Sequence, residues 1–196
     1  LQKGYTKLVV MGGDGTFSEV IDGLMKSGEE LSKLNVGLIP FGTGNDWGRY
    51  WNLDRDIEKS IQVLATGKVE TVDVGKIKYN SEGEDITRYF INAYGLGFDA
   101  KVLELTNNLQ HTFKGASWTY TLALFMTLFK NRSQVMEYEF DGGETFKGLS
   151  YTASMGNGCY TGGGLKQTPE AVPTDGLLDI MVVENLNLIK ILKAIP

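Results

Sequence analysis

Two glycine-rich segments combine the residue types that bind phosphate. Gly12–Thr16 reads Gly-Gly-Asp-Gly-Thr and Gly42–Asp46 reads Gly-Thr-Gly-Asn-Asp, and each follows a short apolar run. Glycines let backbone N–H groups approach phosphate oxygens closely, and the N-terminus of a following helix adds partial positive charge. A carboxylate such as Asp14 repels phosphate unless a cation intervenes, so the first segment favours a Mg²⁺-nucleotide over a free anion. The alternative is that Asp14 only caps the helix that follows.

The elements around these segments must bring them together. The apolar runs Lys7–Met11 and Asn35–Pro40 predict buried strands, and apolar residues at helical spacing follow within 17–25 and 57–65. Alternating strands and helices indicate a parallel sheet, whose strands end at one common edge, where open α/β folds bind ligands. Residues 1–72 are therefore predicted to form a Rossmann-like α/β nucleotide-binding domain.

The pattern changes after residue 72. Strand-like stretches joined by Gly, Asp and Asn turns predict an antiparallel β-sandwich-like domain over residues 73–196, with inserted helices. The turn Asp141-Gly142 predicts a hairpin. The predicted strands are Val69–Lys78, Arg88–Tyr94, Val135–Phe140, Gly148–Met155 and Leu177–Val183, and the predicted helices are Ala100–Asn108, Ser117–Lys130 and Asn187–Ala194.

Composition excludes several functional classes. The net charge is −5 and no basic block is present, so we expect no nucleic-acid partner. Cys159 is the only cysteine and His111 the only histidine, which excludes a disulfide framework, a Cys/His zinc site and a His-based triad. We expect a reducing, cytoplasmic setting. The most apolar stretch, Tyr120–Phe129, is about ten residues long, whereas a membrane span needs about 20.

Two motifs carry a resemblance to a known family. The segment Met11–Val20 resembles a GGDGT nucleotide loop, and Pro40–Arg49 resembles the PxGTxNDxAR signature of the diacylglycerol kinase catalytic-domain family. Three later stretches, at 92–99, 156–164 and 169–179, follow the family's order and spacing. The family usually has Asn where Ser18 stands and Ala where Gly48 stands. Both changes leave the loops able to form.

The resemblance implies an ATP- and Mg²⁺-dependent kinase that phosphorylates a lipid hydroxyl, of diacylglycerol or sphingoid type. It implies that Asp46 and Asp73 organise Mg²⁺ through water, although a simple turn acid is the alternative for Asp73. It also implies that an N-terminal βα unit, a C-terminal return strand and the general base lie outside this chain, so we expect the fragment alone to be inactive. The nucleotide-binding residues implied are Gly12, Gly13, Asp14, Gly15, Thr16, Ser18 and Thr43.

A second cation site is predicted in the turn at 172–177. The carboxylate of Asp175 can converge with the carbonyl oxygens of Val172 and Leu177, and hard oxygen ligands suit Mg²⁺. The resemblance points to the same three positions as a structural magnesium site. An ordinary Asp-Gly turn that opens a strand is the alternative.

Other interpretations stay open. A kinase for NAD carries a similar loop, although Pro40–Arg49 argues against it, and a non-catalytic nucleotide- or lipid-binding module is a further alternative. Asn45 as a helix N-cap and Arg49 as an ion pair are expected to brace the second loop, and Gly162–Gly164 to shape a strand corner. For partners we expect a lipid substrate and transient, peripheral contact with a membrane surface, and a homodimer stays open.

Overall fold

Residues 4–53, 55–112, 118–130 and 132–184 are described by a computed structural model. Residues 1–94 together with 156–179 form one unit, and 95–155 together with 180–196 form a second. The domain boundary expected near residue 72 stays a prediction. In chain order the elements are β1 (Lys7–Gly12), α1 (Asp14–Lys26), β2 (Asn35–Pro40), α2 (Asp46–Tyr50), α3 (Ile57–Thr66), β3 (Gly75–Ser81), β4 (Glu84–Phe90), β5 (Ala93–Gly97), α4 (Phe98–Thr112), α5 (Trp118–Lys130), β6 (Gln134–Glu139), β7 (Thr145–Gly156), β8 (Tyr160–Thr161), β9 (Leu165–Lys166) and β10 (Asp179–Glu184).

The parallel pair predicted for the first unit is confirmed. β1 and β2 run parallel, in a register that sets Lys7 opposite Asn35 and Gly12 opposite Pro40. Because both strands end at this last pair, the two glycine-rich segments leave the same edge of the sheet. The helix that connects the strands, α1, buries Phe17 and Ile21 in agreement with its apolar spacing.

The helix α2 was anticipated only through the N-cap position expected of Asn45, and no bounds were predicted for it. It has only five residues, and it begins after Asn45, whose φ of 52° is left-handed. A single turn offers no repeat that periodicity could detect. The helix matters because it brings Trp47 into the core, which also contains Val10, Phe17, Ile21, Leu38 and Ile91.

Two antiparallel hairpins complete the first unit, β3 with β4 and β8 with β9. The prediction of a strand over Val69–Lys78 is wrong for its first part, because the strand begins only at Gly75. The predicted strand Arg88–Tyr94 breaks after Phe90. The break occurs because the Asn92 carbonyl accepts hydrogen bonds from the Asn157 and Gly158 amides, at 2.7 and 2.8 Å, instead of continuing the ladder.

The second unit joins a β-sheet to two helices. β7 neighbours both β10 and β5, and β6 pairs with β7 in antiparallel register. The hairpin predicted at Asp141-Gly142 is confirmed, since the Phe140 amide donates to the Glu144 carbonyl at 2.9 Å. The predicted helix Asn187–Ala194 lies outside the described residues. The fold class is therefore confirmed as α/β followed by a mainly antiparallel β-rich part with inserted helices.

Within the described ranges, no helix has both the length and the apolar character needed to cross a lipid bilayer. The stretch Tyr120–Phe129 belongs to α5, a helix of 13 residues.

Candidate functional site

The two glycine-rich segments meet at the edge of the parallel pair. The Phe41 amide donates to the Gly12 carbonyl at 2.8 Å, which joins the start of the second segment to the end of β1. A Cβ atom added to Gly13 would lie 3.1 Å from the Gly42 Cα atom, so the two backbones almost touch there. Only glycine permits this approach on both sides.

The N-terminus of α1 has the features of an anion site. Its N-cap, Gly13, offers no side-chain hydrogen bond, and the first amide bonded within the helix is that of Phe17, to the Gly13 carbonyl at 3.0 Å. The amides of residues 14–16 precede it and have no intrahelical partner. A Cβ atom on Gly15 would meet nothing within 4 Å. A phosphate group can therefore reach these amides and the positive end of a 13-residue helix.

Asp14 has a structural role that the sequence did not show. Its Oδ1 atom accepts a hydrogen bond from the Trp47 amide at 3.0 Å, so it caps α2 from 33 residues away. The alternative that Asp14 caps the following helix is wrong, because Asp14 is the first residue of α1 and Gly13 is the N-cap. The side chain is half-buried and thus does not lie at a freely exposed loop tip.

Asp46 is buried beside Asp14. Only 4% of the residue is exposed, and its Oδ2 atom accepts a hydrogen bond from the Gly163 amide at 2.8 Å. A Cβ atom on Gly44 would lie 3.0 Å from Asp14 Oδ2 and 3.2 Å from Asp46 Oδ2, so both carboxylates face this glycine. Burial and then repulsion from Asp14 raise the pKa of Asp46 above its ordinary value, against the opposing effects of the Gly163 amide and Arg49.

Asn45 and Arg49 brace the second segment, as expected, but Asn45 does so differently. Asn45 stands at the N-cap position of α2 without a side-chain cap bond, and its Nδ2 atom donates instead to the Gly42 carbonyl at 3.0 Å. Its Oδ1 atom is buried and has no hydrogen-bond partner in the described part of the chain. The ion pair expected of Arg49 is formed with Asp46, with Nε 3.7 Å from Oδ1.

Asp73 lies against the turn that was predicted to bind a cation. Its Oδ2 atom accepts the Gly176 amide at 2.7 Å, and its own amide donates to the Pro173 carbonyl at 2.8 Å. In the turn, Asp175 Oδ1 accepts the Leu177 amide at 3.0 Å. The Val172 carbonyl accepts the Thr174 amide at 2.8 Å and the Asp175 amide at 3.3 Å. The Val172 carbonyl therefore already accepts two hydrogen bonds, one for each lone pair, so a cation there would have to displace one of these amides, whereas Asp175 Oδ1 accepts one hydrogen bond.

The remaining predicted nucleotide-binding residues lie in α1 and in the second glycine-rich segment. Thr16 is exposed in the first turn of α1, and its side chain lies against Gly12, whose added Cβ atom would be 2.8 Å from Thr16 Cβ. Ser18 is half-buried further along α1 and Thr43 is exposed in the second segment. Sequence reasoning missed Arg55, which donates to the Thr43 carbonyl at 2.5 Å. No sequence pattern indicated this hydrogen bond, because it depends on how the chain folds back between Thr43 and Arg55.

The donor set limits how a magnesium ion could be held. Among the described residues, no group of three or more His, Cys, Asp or Glu side chains could enclose a metal ion. Mg²⁺ usually keeps several waters and binds through one or two carboxylates together with substrate phosphates. The half-buried Asp14, the buried Asp46 and the uncapped end of α1 fit an ion that arrives with a nucleotide.

The sequence matches two known domain families. Residues 1–77 match the diacylglycerol kinase catalytic domain, and residues 92–196 match the YegS C-terminal NAD kinase beta sandwich-like domain. The first match contains both glycine-rich segments. The second contains the Gly162–Gly164 and 172–177 turns.

Named relatives and solved structures agree with these matches. A diacylglycerol kinase of Staphylococcus carnosus (strain TM300) is 33% identical over 188 residues, which cover 96% of this chain and 57% of the relative. A diacylglycerol kinase of Staphylococcus saprophyticus is 32% identical with the same coverage. A crystal structure of a diacylglycerol kinase from Bacillus anthracis str. Sterne superposes with a TM-score of 0.68 at 24% identity, over 96% of this chain and 57% of that one.

A second structure from that organism gives a TM-score of 0.72 at 25% identity, over 96% of this chain and 60% of that one. This chain thus spans a little over half the length of the relatives it matches. Because residues 92–196 are more than half of the chain, the chain belongs to the family of the YegS C-terminal NAD kinase beta sandwich-like domain, and its first 77 residues match the diacylglycerol kinase catalytic domain.

Proposed function

We propose that this protein is an ATP-dependent lipid kinase, which transfers the γ-phosphoryl group to the hydroxyl of a diacylglycerol or sphingoid-type lipid. The observation that carries the proposal is the meeting of Gly13 and Gly42 at the edge of β1 and β2, beside the uncapped N-terminus of α1. The relatives named diacylglycerol kinase support the lipid acceptor.

In this proposal the chain acts by positioning and by electrostatics, which dominate phosphoryl transfer. The first turn of α1 and the second glycine-rich segment hold the ATP phosphates. Asp46 and Asp73 would help to hold Mg²⁺ through its water ligands, and the ion would neutralise charge on the phosphates. The residues proposed to contact nucleotide are Gly12, Gly13, Asp14, Gly15, Thr16, Ser18 and Thr43.

The turn of Val172, Asp175 and Leu177 is proposed to hold a second, structural Mg²⁺. Support comes from the Asp73 side chain, which fixes this turn through the Gly176 amide at 2.7 Å. A cation there would connect the turn to the same segment that carries Asp73.

A pair of glycines in α1 offers a matched test. Gly15 and Gly23 are both exposed helical positions where an added Cβ atom meets nothing within 4 Å. Each change to alanine should therefore stabilise the fold, by up to about 1 kcal/mol. Gly15→Ala should also weaken Mg²⁺-ATP binding in calorimetry, because its methyl group stands at the uncapped helix end, while Gly23→Ala should leave affinity unchanged. Equal affinities would refute the phosphate site.

The acceptor is tested on the intact protein with labelled ATP, mixed lipids and NAD, followed by thin-layer chromatography. A labelled lipid supports the proposal. A labelled dinucleotide would support the NAD kinase alternative, to which the description of the second matched domain points. Nucleotide binding without any labelled product would identify a binding module.

We further propose that the protein makes transient contact with the cytoplasmic side of a membrane, since the proposed acceptor is a lipid. Sedimentation with vesicles that contain diacylglycerol tests this contact. Light scattering decides between a monomer and a homodimer.

A further inference from the structure

The β8–β9 hairpin closes with three successive glycines, Gly162–Gly164, which we call the triglycine loop. Their φ angles are 61°, 90° and 117°, all in the region that favours glycine. Thr161 pairs with Leu165, so the loop contains only these three residues. Such a conformation costs a residue with a side chain about 1–2 kcal/mol, so the shape of the loop depends on glycine at these positions.

That shape brings the loop backbone against Asp46. The Gly163 amide donates to Asp46 Oδ2 at 2.8 Å, across 117 positions of the sequence. The Gly163 carbonyl accepts from Arg49 Nη2 at 3.4 Å, while Arg49 Nε lies 3.7 Å from Asp46 Oδ1. Arg49 thus contacts the carboxylate and the loop together, and its guanidinium carbon lies 5.9 Å from the centroid of the Tyr160 ring at the start of the hairpin.

The glycines of the triglycine loop differ in how much room they have for a side chain. A Cβ atom on Gly164 would lie 3.3 Å from the Arg49 guanidinium carbon, so only glycine leaves the guanidinium unhindered. A Cβ atom on Gly163 meets nothing within 4 Å. Substitution of Gly163 therefore disturbs the backbone angle and the amide direction without a steric clash.

We propose that the triglycine loop is a positioning element for Asp46, in which the Gly163 amide fixes one carboxylate oxygen and Arg49 holds loop and carboxylate together. The inference rests on the proposed kinase function, in which Asp46 would help to hold Mg²⁺ through its water ligands. Asp46 is buried next to Asp14, so the two like charges would drive its carboxylate away unless donors hold it. A misplacement of about 1 Å in such a group costs about 100-fold in rate.

The first test compares two glycines of similar geometry in the intact protein. Gly163→Ala is paired with Gly143→Ala, since Gly143 has φ 77°, also lacks neighbours around an added Cβ atom and lies in the β6–β7 hairpin. Backbone strain is then similar in both variants. Gly163→Ala should lower kcat about 10- to 100-fold with the KM for ATP changed less than about two-fold, and Gly143→Ala should leave both unchanged. Thermal unfolding confirms that each variant is folded.

The second test asks whether Gly163 acts through Asp46. When Gly163→Ala is added to Asp46→Ala, kcat should not fall further, because Asp46→Ala already removes the acceptor of the Gly163 amide. Independent losses that multiply, or a Gly163→Ala enzyme with the kcat of Gly143→Ala, would overturn the proposal.

Hydrogen exchange tests the same contact without activity. The Gly163 amide should exchange slowly in the native protein and about ten-fold or more faster in Asp46→Ala, since it loses its acceptor. Unchanged exchange would overturn the inference. Failure of the proposed function gives a different result, in which the Gly163 amide depends on Asp46 but no lipid is phosphorylated.

Discussion

At Asp14, substitutions can separate the effect of the negative charge from the effect of the hydrogen bond that caps α2. Its Oδ1 atom accepts the amide of Trp47, a residue only 5% exposed, and its negative charge faces Asp46. Asp14→Asn keeps a side-chain oxygen at the capping position and removes only the charge. Asp14→Ala removes both. The pair therefore distinguishes the catalytic from the structural role.

The magnitudes follow from these contacts. Loss of a helix cap costs about 0.5–2 kcal/mol, and a stranded buried amide costs about 1–3 kcal/mol. Relief of the repulsion from Asp46 offsets part of this cost, so Asp14→Ala should lower the free energy of unfolding by about 1–2 kcal/mol. Asp14→Asn should stay within about 0.5 kcal/mol of the parent. Both should lower kcat by about 100-fold or more, as expected when a charge at the reacting phosphates is lost.

Urea unfolding and single-turnover phosphorylation, both with the intact protein, measure the two effects separately. Asp141→Asn, at an exposed hairpin turn, is the control for loss of one acidic charge and should change neither quantity. Near-normal turnover of Asp14→Asn would refute a role for the charge. Equal stability of Asp14→Ala and Asp14→Asn would refute the contribution of the bond to Trp47.

Two further changes test the remaining electrostatics. Burial raises the pKa of Asp22, but hydrogen bonds from Lys26, the Tyr89 amide and Arg88 outweigh it, so the folded pKa lies below the ordinary value of 3.8. The stability that Asp22 contributes is therefore present above the unfolded pKa and is lost as pH falls through the lower folded pKa. Asp22→Asn should therefore cost about 2 kcal/mol at pH 7, as loss of charged hydrogen bonds does, and should reduce the fall of stability on acidification through the folded pKa of Asp22 in urea titrations; an unchanged acid limb would contradict this. Asp175→Ala should reduce turnover and its Mg²⁺ dependence while costing less than about 1 kcal/mol, because its bond lies in an exposed turn, and full activity across a magnesium titration would exclude the second cation site.

The elements that were predicted correctly are those that residues close together in the sequence determine. β2 was predicted with its observed limits because a short apolar run marks it. α3 was predicted within a residue because apolar residues recur at helical spacing and Gly67 follows its last turn. The meeting of the two glycine-rich segments followed from the parallel connection, which sends both strand ends to one edge. These inferences need only periodicity and a topological rule.

Long-range pairings were inaccessible for a physical reason. The bond of Asp14 to Trp47 and that of Asp46 to Gly163 depend on where loops fold back, which no residue nearby in sequence encodes. Asp22 shows the same limit, since an acid within a helix is usually exposed to solvent. Here Arg88 and Tyr89, more than 60 residues later, make its burial favourable.

The two carboxylates also explain why a bare anion would not suit this edge. The uncapped end of α1 attracts phosphate, but Asp14 occupies the first position of that helix and Asp46 lies beside it. Both acids repel phosphate, and each is held in place by a backbone amide that a phosphate would otherwise compete for. A nucleotide that carries a divalent cation resolves the conflict, because the cation is attracted by the acids while the phosphates reach the helix amides. We therefore expect this edge to bind phosphate weakly by itself and more strongly as a magnesium complex.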